Sequence, residues 1–314
     1  MWCKNYMGNT INGGRLIEAT NDNGFIVVGE RWIQDSVNLV LLLKLDSNGN
    51  TLWCKSFEQG DWFPTNVKQT LDGGYILAFR SATPGASSVV KTDSNGNIDW
   101  SKEFAFGIAV NLLDVNRTFD GGYILTGYVM GSSFSNILLL RIDSLGNSIW
   151  AKRYGGSIPF KSEEGNKVIQ TSDEGFVVLG NSFYNGYQND SLYVIKTNSS
   201  GNLIWAKNYG GINNMIDGFG IVALNNNECA IVSSIKDTST YYEGPSLIRL
   251  NENGDTLWTK TFTTGTNSVT SKSLALTNDN GFLIGSHYTG NNGDIGFYLV
   301  KTDSNGFVGV TKFI

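Results

Sequence analysis

Apolar and polar residues alternate along this chain in short runs of about four to eight positions, cut repeatedly by Gly, Asn and Asp. The runs are rich in β-branched and aromatic side chains, as in Tyr75-Ile-Leu-Ala and Phe176-Val-Val-Leu, which suit a pleated, half-buried surface. No stretch sustains a helical period. The pattern therefore predicts an all-β chain of many short strands joined by tight turns.

The strands recur in sets of four, here A to D. Strand A ends in Thr with an aliphatic residue three places earlier: Ile17 before Thr20, Val67 before Thr70, Val115 before Thr118, Val168 before Thr171 and Leu274 before Thr277. Strand B follows a turn reading Asn23-Gly24-Phe25, Gly73-Gly74-Tyr75, Gly121-Gly122-Tyr123, Glu174-Gly175-Phe176 or Asn280-Gly281-Phe282, with Glu228-Cys229-Ala230 as a degenerate copy. Strand C carries Lys44, Lys91, Arg141, Lys196, Arg249 or Lys301 two places before a turn of the Asp46-Ser-Asn-Gly49 type, repeated at Gly96, Gly146, Gly201, Gly254 and Gly306. Strand D is Trp-x-Lys: Trp53/Lys55, Trp100/Lys102, Trp150/Lys152, Trp205/Lys207 and Trp258/Lys260. Four antiparallel strands repeated roughly every 50 residues are the signature of a β-propeller. The expected fold is a single six-bladed propeller over residues 1–314, with blade repeats near 9–58, 59–105, 106–155, 156–210, 211–263 and 264–314.

The ends of the chain carry one further expectation. Trp-x-Lys occurs a sixth time at Trp2/Lys4, ahead of any A strand, while the last repeat has Val310 where Trp belongs. An N-terminal strand over residues 1–7 is expected to complete the last blade, lying beside Phe297 to Thr302 and closing an otherwise open edge. The tail from Phe307 would then be displaced or add an edge strand.

Composition narrows the function. Of 314 residues 38 are Gly and only 4 Pro; an average chain would hold about 22 Gly, and the two turn series absorb most of the excess. A net charge of -5 argues against nucleic acid. The longest apolar run, Leu39 to Leu43, is too short to span a membrane. The opening Met1-Trp2-Cys3-Lys4 lacks the basic start and apolar stretch of a signal peptide, so any export address is expected to have been removed or to lie outside this chain. One His and 3 Cys make a zinc site or a His-based triad unexpected, and Cys3, Cys54 and Cys229 are expected to remain thiols. A calcium loop built on Asp-x-Asn-Gly would need a distal Glu that no copy of the turn carries. The recurring Lys or Arg of strand C and Lys of strand D are expected to cover sheet surface with their stems.

Trp150-Ala-Lys152-Arg-Tyr154-Gly-Gly156 and Thr118-Phe-Asp120-Gly-Gly122-Tyr123-Ile-Leu-Thr-Gly127 resemble the propeller repeats of secreted and cell-surface bacterial proteins, many from Bacteroidetes; the Asp-x-x-Gly-Asn-x-x-Trp element is distantly similar to the docking Trp of quinoprotein-type propellers. The resemblance covers the whole chain. It implies an extracellular or cell-surface location and a chain that is monomeric or part of a larger protein.

In such blades the A-B and C-D turns share one end, and the B-C and D-A connections share the other. The first pair are short and near-identical; the second vary, and variable loops on a rigid scaffold are where function usually resides. They hold Trp32, Trp62, Phe63, Tyr184, Tyr187, Tyr241, Tyr242 and Tyr288, which are the candidate ligand-binding residues. Flat aromatics among Asn, Asp and Ser suit a glycan or a protein partner, without enzymatic activity or a cofactor; the competing expectation is that these rings fold over the blades as local cores. Glu18, Asn66, Asp114 and Asn166 on the A strands define an alternative, a Ca2+-dependent hydrolase or lyase at a channel mouth. A purely structural spacer is a third reading.

Overall fold

A computed structural model of the chain describes residues 4, 6, 11–32, 39–58, 62–81, 85–106, 109–131, 134–156, 161–184, 191–210, 214–237, 243–262, 267–290, 293–308 and 312–313. The chain folds as a six-bladed β-propeller: six four-stranded antiparallel sheets, each strand paired with its neighbours in sequence. The first blade contains β1 (Ile11–Ala19), β2 (Phe25–Trp32), β3 (Leu39–Leu45) and β4 (Thr51–Glu58); the second β5 (Trp62–Gln69), β6 (Tyr75–Ser81), β7 (Ser87–Thr92) and β8 (Ile98–Phe104). The third contains β9 (Ala109–Arg117), β10 (Tyr123–Met130), β11 (Ser135–Ile142) and β12 (Ser148–Tyr154); the fourth β13 (Lys161–Gln170), β14 (Phe176–Tyr184), β15 (Ser191–Thr197) and β16 (Leu203–Tyr209). The fifth has β17 (Asn214–Ala223), β18 (Cys229–Asp237), β19 (Glu243–Leu250) and β20 (Thr256–Thr261), and the sixth β21 (Ser268–Leu276), β22 (Phe282–Thr289), β23 (Ile295–Thr302) and β24 (Lys312–Phe313). The strands divide between two compact units, Met1–Arg153 and Tyr154–Ile314.

Within each unit the two-residue period sends alternate side chains to opposite faces of a blade, and both faces of an inner blade are covered. In the first unit Ile26, Val28, Val40 and Leu42 meet Tyr75, Leu77, Phe79 and Val90. On the other face of the second blade, Ile76, Ala78 and Val89 meet Leu112, Tyr123, Leu125 and Leu140. In the second unit Ala230, Val232 and Leu247 meet Phe282, Ile284, Tyr298 and Val300. On the opposite face of the last blade, Leu283, Ile295 and Phe297 are 37%, 74% and 76% exposed.

The A-B turn explains why Thr, Asp, Gly and a basic residue recur together. The Thr20 hydroxyl and the Gly24 N–H both donate to Asp22, at 2.5 and 3.1 Å. The buried Lys44 ammonium reaches the same carboxylate at 2.8 Å and its neighbour's carbonyl, Leu45 O, at 3.0 Å. Lys91 repeats this with Asp72 and Thr92 O, and Lys301 with Asp279 and Thr302 O. Arg141 pairs with Asp120 and Lys196 with Asp173. The strand-C cations therefore do more than cover surface: they hold the turn, and Lys44, Lys91, Arg141 and Lys196 do so buried. The fifth blade substitutes a 3₁₀ turn, Asn225–Asn227, and a Glu228–Arg249 pair.

The adjacent glycines of this turn have different causes. Gly73 has φ +84°, and the matching Asn23, Glu174 and Asn280 have φ 61°, 63° and 59°. Gly74 is instead required for space: a Cβ there would lie 2.0 Å from Thr92 O and 2.7 Å from Lys91 Nζ. At the C-D turn, Gly146 and Gly254 accept the next-door Trp rings, since a Cβ would come within 2.9 Å of Trp100 or Trp205. Trp205 Nε1 also donates to Glu252 O at 2.9 Å. The docking of Trp53, Trp100, Trp205 and Trp258 on the following blade's turn is thus a contact of ring on glycine.

The expected N-terminal completion of the last blade meets a correction. The place beside β23 at Tyr298 and Leu299 is taken by Phe313 and Lys312 of β24, and a Thr302–Val308 bridge starts the same hairpin. A hairpin to the chain's own tail closes a short loop, which costs little entropy. Trp2, Cys3 and Asn5 lie outside the described residues. Lys4 and Tyr6 touch the first blade: Lys4 Nζ donates to Asn50 Oδ1, and Tyr6 OH to Gly49 O at 2.5 Å. Tyr154 and Tyr209 make that second bond to Gly201 O and Gly254 O, also at 2.5 Å. Residues 4 and 6 thus engage the first blade as a strand D engages the blade that follows it. Cys54 is exposed, Cys229 is buried, and no disulfide joins them.

Candidate functional site

The variable end of the blades differs from its expected form because the strands run further. β2 continues to Trp32, β14 to Tyr184 and β22 to Tyr288 and Thr289, while Trp62 and Phe63 open β5. These five aromatics belong to strand ends. Period-two pairing carries on past the Gly, Ser and charged residues that read as turn formers, because cross-strand partners still match: Trp62 faces Ser81, Phe63 faces Arg80, and Tyr288 faces Gly296.

Two of the candidate rings contribute to the core. Trp62 is half-buried against the cluster of Ile26, Val28 and Phe79, and Tyr288 packs against that of Phe282 and Ile284. Tyr187, Tyr241 and Tyr242 lie outside the described residues, as do the side chains of Trp32 and Tyr184. His287, half-buried beside Tyr288, has its Nδ1 3.5 Å from Thr289 Oγ1, a distance too long for a strong bond.

Phe63 is the best-defined aromatic. The Arg15 guanidinium, from β1, lies 5.4 Å from its ring centroid, and that of Arg80, from β6, lies 5.3 Å away. Both separations are within cation–π range. The ring therefore holds cations where a sugar-stacking platform was expected. Arg15 is also gripped by the buried Glu30, with Nε 2.5 Å from Oε1 and Nη2 3.1 Å from Oε2. Three strands from two blades supply this cluster. Arg80 and Glu30 were not singled out from the sequence; the available signal was an Arg following Phe79 where other B strands carry Glu30, Tyr128, Asn181, Ser234 or His287.

The A-strand candidates are largely engaged by one another or by neighbours. Lys68 Nζ pairs with Glu18, and Asn66 Nδ2 donates to the buried Asp114. Asn166 Nδ2 donates to Gly218 O at 3.3 Å. A calcium ion needs six to eight oxygens; the Glu18 carboxylate is neutralised by lysine, and no group of three or more His, Cys, Asp or Glu suited to a metal occurs among the described residues. These residues do not fit a shared calcium site. Glu163, on β13, is 1% exposed with Lys161 at 3.1 Å, and among the described residues its Oε2 has no hydrogen-bond partner. Burial, and then the Glu163 charge, push the neighbouring Tyr193 phenol up.

Neither family models nor curated proteins match this sequence. Solved structures do match, and they show the fold. A protein of unknown function from Dyadobacter fermentans is 10% identical, with 92% of each chain covered and a TM-score of 0.59. A polysaccharide lyase, an ulvan lyase of family PL25 bound to -[GlcA(1-4)Rha3S]-, is 10% identical over 98% of this chain and 85% of its own, with a TM-score of 0.62. The β-propeller domain of the trilobed protease from Pyrococcus furiosus, described as having an open velcro topology, is 11% identical over 98% and 84%, with a TM-score of 0.57.

Proposed function

We propose that this chain is a binding module of a secreted or cell-surface protein, and that it recognises a glycan, or failing that a protein, through the B-C and D-A ends of its blades. The observation that carries the reading is the contrast between the two ends of each blade. At the A-B and C-D end, polar groups are consumed internally: Asp46 Oδ1 accepts from the Asn48 and Asn50 N–H groups at 2.9 and 2.7 Å, and Asp93 and Asp143 do the same in their own turns. Such repeated, self-satisfied turns serve the fold. The other end differs from blade to blade and presents Arg15, Phe63 and Arg80 across the first two blades and His287 and Tyr288 in the sixth. A fold shared with polysaccharide lyases supports the glycan over the protein.

The lyases also give the enzymatic alternative its one specific support, and a single experiment separates the two. The purified chain is screened against a glycan panel by thermal shift, and each hit is followed for the ultraviolet absorbance of unsaturated uronate ends. A ligand that prefers the folded state raises Tm. The expected result is a shift without absorbance growth, lost in Trp32→Ala and Tyr242→Ala variants of unchanged Tm. Growth of absorbance would establish a lyase, and a shift retained in both variants would remove this end of the blades from consideration. Trp62→Ala is less informative, because Trp62 packs on the core.

A further inference from the structure

The geometry points to an anion site at Arg80, shared with Arg15 over the Phe63 ring, that takes the carboxylate or sulfate of an acidic sugar. This deepens the glycan reading above and rests on it. Arg80 closes β6 and is half-buried, its guanidinium 5.3 Å from the Phe63 centroid. Cross-strand pairing of Phe63 with Arg80 fixes that placement in the backbone. Among the described residues no carboxylate pairs with Arg80 and no hydrogen bond engages it, so its five donors are unspent there.

Arg15 is in a different state. Glu30 occupies its Nε and Nη2, which locks the side chain beside the ring and leaves Nη1 outside that pair. Two cations thus face one described anion. The planar fork of Arg80 matches a carboxylate or sulfate bidentately. The half-buried Phe63 ring adds apolar area beside the charge, against which the C–H groups of a pyranose can pack.

The protein as a whole is anionic, at -5, yet this does not prevent the site from working. Charges beyond about 8 Å are largely screened at physiological salt, whereas the two guanidinium groups act at contact distance. An acidic polysaccharide would bind weakly at long range and gain affinity only where Arg80 is reached.

The test uses the full chain and four probes: a short oligogalacturonate, its fully methyl-esterified form, a sulfated oligosaccharide from carrageenan and a poly-glutamate peptide of similar charge. Binding is measured by titration calorimetry in parallel with Tm. Binding of the oligogalacturonate or of the sulfated sugar is expected, each naming its own anion, with at least about tenfold loss on esterification and about tenfold loss in Arg80→Gln at unchanged Tm. Equal binding of the acid and its ester, or an Arg80→Gln variant that binds as well as the parent, would overturn the anion site and leave the glycan reading standing. Binding of poly-glutamate with no response to either acidic sugar would overturn both, in favour of a protein partner.

Discussion

The paired glycines of the A-B turn offer the sharpest check on the physical account. Gly73→Ala places a Cβ in open space, 4.0 Å from the nearest atom, Ser94 Cβ, at φ +84°. Its cost is conformational, about 1–2 kcal/mol. Gly73→Asn should cost under about 0.5 kcal/mol, because short polar side chains tolerate this region and Asn23 and Asn280 hold the same φ in sister blades. Gly74→Ala is different in kind. Its Cβ would sit 2.0 Å from Thr92 O, about 1 Å inside the closest approach a real Cβ shows. Either the end of β7 or the 3%-exposed Lys91 must move, and moving Lys91 separates it from Asp72 and Thr92 O at 2.8 Å each. Lys91 is buried but Asp72 is 62% exposed, so the loss falls short of that for a fully buried pair; leaving the ammonium without its partners costs about 1–3 kcal/mol, still a sizeable share of the roughly 5–15 kcal/mol that hold a domain folded. Urea unfolding of the three variants, with the slope m required to stay constant, reads these costs directly. If Gly74→Ala destabilises no more than Gly73→Ala, the close-approach argument is wrong and the second glycine owes its place to something else.

Two further outcomes follow from the same contacts. Hydrogen bonds from Lys44 and Thr20 hold the Asp22 carboxyl down at about 2. A carboxylate depressed in the folded state stabilises fully above its unfolded value near 4, so stability should be level above pH 4 and fall between pH 4 and 2; a Tm insensitive to pH across that window would contradict the ion-paired turn. At the N-terminus, Tyr6→Phe removes the bond to Gly49 O and should cost about 0.5–1.5 kcal/mol in a melt. No change in that melt would mean that the segment is not held as strands D are.

Strand count, order and blade type were legible because their causes are local. A two-residue period, a Thr-x-Asp-Gly turn and an Asp-Ser-Asn-Gly hairpin are each decided within a few residues, and repetition made every copy vouch for the others. The recurring Trp of strand D was legible too, but its seat on the glycine of the next turn was not. Only the tertiary structure decided what depends on distance between strands. It gave the space at β23 to the chain's own tail, because a hairpin neighbour is reached more cheaply than a strand from the far end. It moved Trp62 and Tyr288 from loops into the margins of the core, because sheet pairing continued past residues that favour turns when read alone. It showed that Lys44 and Lys91 are buried ion-pair partners, because the carboxylates they meet come from a different strand connection. And it assembled Arg15, Phe63 and Arg80 from β1, β5 and β6, residues that share no motif and become one site only when neighbouring blades bring their side chains within a few ångströms of each other.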